Sequence, residues 1–193
     1  MHQRVKKPFT PEQYLAMEER SDTKSEFYRG EIFAMAGASI DHNTIAGNVF
    51  AALHRHLRGK PCRPFTSDMR LLVQSNGLYT YPDVTVVCGE PLFFEGRTDT
   101  VMNPTLLIEV LSESTKDYDR GFKFELYRAL TSLADYLLVD SAKVHVEHYH
   151  RLEDGRWTLQ EYNDPSQSIE LAAIDFSISI ADLYERVVFA PTL

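Results

Sequence analysis

Long apolar runs are missing from this 193-residue chain. No stretch approaches the roughly 20 apolar residues of a membrane span. The start, MHQRVKKPFTPEQ, is polar and proline-containing, unlike the apolar centre of a secretory leader. Cysteine is scarce, with only Cys62 and Cys88. Two cysteines in a chain of this size do not make a disulfide framework, and Cys88, at the end of an apolar run, reads as a small buried hydrophobe. Repeats, linkers and low-complexity segments are lacking too. The expectation is one soluble, cytoplasmic domain over residues 1–193, its core spanning about 10–185, with no membrane partner.

Positive charge is also in short supply. A net charge of -8 repels phosphate at long range. One stretch departs from this: between His42 and Ser67 there is no Asp or Glu, while Arg55, Arg58, Lys60 and Arg63 all fall there. Two readings stay open, a nucleic-acid-facing patch or cations favourably placed at a helix C-terminus.

What is present is a mixed α/β pattern. Thr10-Pro11-Glu12-Gln13 reads as a capped helix start, with the helix running to about Arg20. Ser25 to Met35 reads as two short strands around Arg29-Gly30. From about His42 to Leu57, Ile45, Val49, Leu53 and Leu57 recur at helical spacing, and Gly59 and Pro61 end that helix. Pro64 to Gln74 and Leu78 to Cys88 read as two strands joined by an Asn76-Gly77 hairpin turn. Thr105 to Leu111 (TLLIEVL) is an apolar strand. A helix capped by Ser114 or Thr115 runs to about Leu130, with Phe122 and Leu126 as its docking stripe. Tyr136 to Val139 is another buried strand, Lys143–Arg151 and Trp157–Tyr162 form a hairpin, and a short helix begins near Ser179.

Glu109 is the most informative residue. It stands inside TLLIEVL, where a carboxylate is costly unless it is paired or binds a cation. A buried ion pair or a strand-end position is the plain alternative to a metal or catalytic role. Asp83 stands in a second apolar stretch, YTYPDVTVV, behind Pro82, which marks an edge or a bulge. On neighbouring strands about 4.8 Å apart, the two carboxylates could share one ion. Hard oxygen donors of this kind suit Mg²⁺ or Mn²⁺. Asp119, Lys123 and Tyr127 follow at i, i+4, i+8 on one helix face. Lys123 could point back to the acids, or simply pair with Asp119 on a solvated face.

The order of these pieces resembles the Uma-type family of putative restriction endonucleases, in the PD-(D/E)XK nuclease superfamily. The matching pieces include Glu26…Gly30-Glu31, His42, Ser67-Asp68 with Arg70, Tyr81-Pro82-Asp83-Val84, Ile108-Glu109-Val110-Leu111-Ser112, Asp119, Lys123, Tyr127 and Tyr136-Leu137-Leu138-Val139-Asp140. The resemblance implies a restriction-endonuclease-like fold, a central mixed β-sheet flanked by helices. It implies Asp83 and Glu109 as metal ligands with the Val110 backbone carbonyl, and a DNA substrate. It also implies Lys123 as a lysine moved to the helix, because Leu111 occupies the usual lysine position. Glu26, His42, Asp68, Asp119 and Tyr127 are accessory candidates. A homodimer would suit cleavage of both strands, and a catalytically silent binding module is the alternative. His145, His148 and His150 read as part of a solvated strand rather than a zinc site.

Overall fold

A computed structural model describes residues 8–35, 37–113 and 115–189. The polar start before Pro8 and the candidate cap Ser114 lie outside the described residues. The first helix, α1 (Pro11–Glu18), opens on a complete capping box: Thr10 accepts from the Gln13 amide and the Gln13 side chain accepts from the Thr10 amide. β1 (Ser25–Tyr28) and β2 (Glu31–Ala34) form a hairpin. Arg29 and Gly30 both have positive φ at its turn, 46° and 88°, which suits the twist of the flanking strands. α2 (Ile40–His56) is capped by the Ser39 side chain and buries Ile45, Val49 and Leu53.

The next two predicted strands each prove to be two. β3 (Cys62–Thr66) and β4 (Arg70–Val73) are separated by a turn closed by Met69 N–H to Thr66 C=O. β5 (Leu78–Thr80) and β6 (Val84–Cys88) are separated by Tyr81-Pro82-Asp83. Each break moves the chain from one sheet to another. Pro82, with no N–H to give a ladder, stands where the chain passes from the sheet of β5 to the sheet of β6.

β7 (Thr100–Val101) and β8 (Leu106–Leu111) follow. A π-helical turn (Tyr118–Lys123) leads into α3 (Phe124–Tyr127). The wider turn shifts the helix faces. Phe122 is therefore 37% exposed and does not dock the helix; it packs on Tyr28 and Tyr118 instead. Phe124, Leu126 and Tyr127 take the core side. β9 (Asp135–Asp140), β10 (Val146–Arg151) and β11 (Trp157–Tyr162) complete the main sheet. β12 (Ser168–Leu171) and β13 (Phe176–Ser179) make a separate hairpin, absent from the sequence expectation, before α4 (Ile180–Leu183).

The main sheet has the order β11-β10-β9-β8-β6-β3 and is mixed: β8 and β9 run parallel, and the other pairs are antiparallel. A second sheet has the order β2-β1-β5-β4-β7. α2 and the C-terminal hairpin pack with Ile108, Val110, Leu137 and Val139 on one face of the main sheet. α3 and the β4–β5 hairpin pack with Leu107, Leu111, Tyr136 and Leu138 on the other. β8 is buried along its whole length, as its apolar run requires.

Cys62 and Cys88 correct the sequence reading: they are disulfide-bonded. They are register partners on β3 and β6, a juxtaposition created by strand pairing. Among the described residues no helix is long and apolar enough to cross a membrane.

Candidate active site

The pairing of β6 with β8 ends at Val84 and Ile108. Beyond it the chain swerves through Tyr81-Pro82-Asp83, and the next outward-facing backbone of β8 belongs to Val110. The Asp83 carboxylate takes the missing strand's place, accepting from the Val110 N–H at 2.8 Å. Asp83 is thus not a strand residue, as its sequence setting implies, but the residue that relieves the end of a ladder. His42, near the start of α2, reaches the same oxygen with Nε2 at 3.2 Å. Its Nδ1 is buried with no partner among the described residues.

Glu109 points to the opposite face of β8, because successive strand residues alternate. There it meets Lys123 Nζ at 3.1 Å and the Tyr127 hydroxyl at 2.8 Å. Lys123 Nζ also lies 3.0 Å from Glu26 Oε1 and 3.1 Å from Asp119 Oδ1. Glu26, on β1, further accepts from the hydroxyls of Thr80 and Tyr118. Three carboxylates therefore surround one ammonium, and all four side chains are buried. The second sheet supplies Glu26 and Thr80, the main sheet supplies Glu109, and the helix supplies Asp119, Lys123 and Tyr127.

Burial pushes the Glu109 carboxyl well up; the Lys123 ammonium pulls it down, and Asp119, Asp83 and Glu26 push it further up. Burial raises Asp119 against the pull of Lys123. Burial works against the Lys123 ammonium, but Glu109, Glu26 and Asp119 outweigh it and hold the lysine charged. For His42, burial lowers the imidazolium, while the hydrogen bond and charge of Asp83 raise it, helped by the Val110 backbone and Asp119. The balance lies above the ordinary histidine value.

Of the sequence candidates, Asp83, Glu109, Val110, Lys123, Glu26, His42, Asp119 and Tyr127 converge in this region. Asp68 stands apart: it is exposed and pairs with Lys24. Arg55 lies in the last turn of α2, roughly 20 Å along the helix from His42 at 1.5 Å per residue, and Arg58 lies in the turn that follows. Arg63 faces Val87 on β6, and Lys60 contacts His56 at 2.7 Å. The basic stretch thus lies at the far end of the sheet from the carboxylates. Thr80 and Tyr118 were not legible as site residues, since neither has a local pattern that sets it apart. The histidine reading also changes. His145 and His148 are buried, not solvated; His145 contacts Asn163 and Glu147, and His148 contacts Asp135.

Residues 11–181 match the family described as putative restriction endonuclease, Uma2. The chain is 38% identical over 180 residues to the uncharacterized protein slr1290 of Synechocystis, covering 93% of each chain. It is 39% identical over 166 residues to the uncharacterized protein sll1609 of the same organism, covering 86% of this chain and 94% of that one. The fold is similar to the crystal structure of a putative nuclease belonging to DUF820 from Anabaena variabilis. That match has a TM-score of 0.78 at 17% identity and covers 94% of this chain and all of the other.

Proposed function

The chain belongs to the putative restriction endonuclease family, and from that premise we propose that it is a metal-dependent endonuclease hydrolysing DNA phosphodiester bonds. The observation that carries this reading is a charge imbalance. Glu26, Glu109 and Asp119 crowd one ammonium, and Asp83 lies on the backbone immediately beside Glu109. Buried negative charge in such excess calls for protons or for a cation. The donors fit a hard divalent ion: carboxylates of Asp83 and Glu109 with the Val110 carbonyl, suited to Mg²⁺ or Mn²⁺. When bound, such an ion polarises phosphate oxygens and lowers the pKa of bound water.

The chain's own groups take defined parts. Lys123 is held protonated by its three carboxylates, so it has no lone pair with which to act as a base. It fixes the position of Glu109 and supplies positive charge near the reacting phosphate. Tyr127 holds the same Glu109 oxygen and limits its rotation. His42 and Asp83 are the least buried members, with side chains 14% and 17% exposed, so DNA would approach from their side. Arg55, Arg58, Lys60 and Arg63 would contact the duplex backbone further along, and a homodimer would present two sites to the two strands.

Glu109→Ala in purified protein should abolish Mg²⁺-dependent cleavage of duplex DNA while the circular dichroism spectrum is retained. Cleavage at the parental rate would remove Glu109 from the site. A catalytically silent binding module is the alternative, favoured by the burial of Lys123 and Glu109. No heat of Mg²⁺ or Mn²⁺ binding at millimolar concentrations would decide for it.

A further inference from the structure

A second group of donor atoms lies on the other face of the main sheet and has no part in the carboxylate cluster. Asp135 opens β9 and is the register partner of His150 on β10; His148, two residues earlier, shares the His150 face. Asp135 alternates with Leu137 and Val139, on the α2 side of the sheet. Glu109 alternates with Leu107 and Leu111, on the α3 side. A single oxygen, Asp135 Oδ1, lies 2.7 Å from His148 Nε2 and 2.8 Å from His150 Nδ1. All three donor atoms lie within 4.8 Å of one another. The Asp135 and His148 side chains are buried, and that of His150 is 37% exposed.

We propose that Asp135, His148 and His150 form a second metal site, selective for Zn²⁺ or a similar transition ion. Two imidazole nitrogens and a carboxylate oxygen are the donor set of an open zinc centre, in which water takes the fourth position. Oxygen-seeking Mg²⁺ is not drawn to imidazole in this way, so the two faces of the sheet would take different ions. The backbone placement is fixed by strand register, not by a mobile loop. Tetrahedral bonds of about 2.0–2.1 Å put ligand atoms roughly 3.4 Å apart. A retreat of about 0.6 Å between oxygen and each nitrogen therefore opens the site. The exposed edge of His150 gives the ion access and leaves room for water.

Charge points the same way. Asp135 is a carboxylate with 1% of its side chain exposed, and such a group needs a compensating positive charge. The neighbouring guanidinium of Arg151 is directed elsewhere, to the carbonyls of Leu130 and Arg128. The imidazoles of His148 and His150 supply hydrogen-bond partners to Asp135. A divalent ion would supply that charge.

The test uses full-length, oxidised, chelator-treated protein, in which the disulfide keeps the cysteines from acting as ligands. It is titrated with Zn²⁺ by calorimetry and with Co²⁺ by visible absorption. The expected result is one tightly held Zn²⁺ and the visible bands of four-coordinate Co²⁺. His150→Ala, a half-exposed position, should weaken Zn²⁺ binding by more than roughly 100-fold with an unchanged circular dichroism spectrum. The Asp83→Ala, Glu109→Ala double variant should bind Zn²⁺ as the parent does, which separates this site from the proposed nuclease centre. In the parent, the ring ¹⁵N resonances of His148 and His150 should shift on adding Zn²⁺. Absence of Zn²⁺ binding, His150→Ala binding like the parent, unmoved ring resonances, or loss of Zn²⁺ in the double variant would each overturn the proposal.

Discussion

Asp83 accepts a hydrogen bond from the backbone N–H of Val110 at 2.8 Å, and so the carboxylate is tied to the residue directly after Glu109. The two acids reach this point of β8 from different directions. One lies against the edge of β8 and the other projects from its face, and the strand itself sets their separation. The proline before Asp83 turns the chain out of the second sheet at the point where that edge is free.

This relationship separates two roles of Asp83. Asp83→Asn keeps an acceptor for the Val110 N–H, so stability should fall by less than about 1 kcal/mol. Asp83→Ala strands that amide and should cost about 1–3 kcal/mol. Both should lower Mg²⁺-dependent cleavage by at least roughly 100-fold. Urea denaturation and a duplex cleavage assay read the two effects. An active Asp83→Asn would show that the charge of Asp83 is not used.

The metal-free protein should lose stability as pH rises. Glu109 and Asp119 hold their protons more tightly in the fold than their ordinary values of 4.5 and 3.8 allow. The folded state therefore binds more protons than the unfolded chain, and stability declines as pH climbs from those values through the raised folded ones. Millimolar Mg²⁺ should restore most of the loss near pH 8, because a ligand held only by the fold stabilises it. Thermal unfolding with and without chelator measures this. A metal-free midpoint that rises between pH 5 and pH 8 would contradict the crowded-carboxylate reading.

Lys123→Met should leave three buried carboxylates without their cation and cost about 3–5 kcal/mol at neutral pH. Adding Glu109→Gln to Lys123→Met should return part of that loss, since it removes one of the stranded charges. A double-mutant cycle in urea gives the coupling between the two positions. Additive losses would mean that Lys123 and Glu109 do not interact as their 3.1 Å separation implies.

Opening the Cys62–Cys88 disulfide should destabilise the fold. It closes a loop with a sequence separation of 26, for which chain entropy gives about 3.5 kcal/mol. Reduction, or the double substitution Cys62→Ser, Cys88→Ser, should lower the urea midpoint accordingly. Two free thiols in the intact mass of protein purified under oxidising conditions would refute the pairing.

Removing Arg58 and Arg63 together tests the basic end of the sheet. Duplex affinity should fall evenly across sequences, and the salt dependence of binding should flatten by about 0.9 per lost phosphate contact. The cleavage rate at saturating DNA should hold, because these residues stand far from the carboxylates. An unaltered salt slope would assign them to helix-end stabilisation alone.

Local chemistry made much of this architecture readable. The Thr10–Gln13 capping box, the Ile45/Val49/Leu53 face and the Asn76-Gly77 turn are short-range patterns, and each forms as expected. Glu109 announced itself as a charge inside an apolar strand. Strand breaks were harder to read. Apolar residues flank Tyr81-Pro82-Asp83 on both sides because β5 and β6 are buried, so hydrophobicity alone does not mark that change of sheet. Pairings between strands were harder still. That Cys62 meets Cys88, or that Asp135 meets His148 and His150, follows from register, and register is a property of the folded pair. The exposed Phe122 misled for a different reason, since a π-helical turn breaks the 3.6-residue spacing on which a face is assigned.

The carboxylate cluster draws Glu26 and Tyr118 together from positions 92 residues apart in the chain, with Thr80, Glu109, Lys123 and Tyr127 contributed between and after them. A fragment that begins after Glu26 or ends before Tyr127 does not carry the cluster complete. Both β1 and the helix that carries Lys123 and Tyr127 must therefore be in place before the cluster can form.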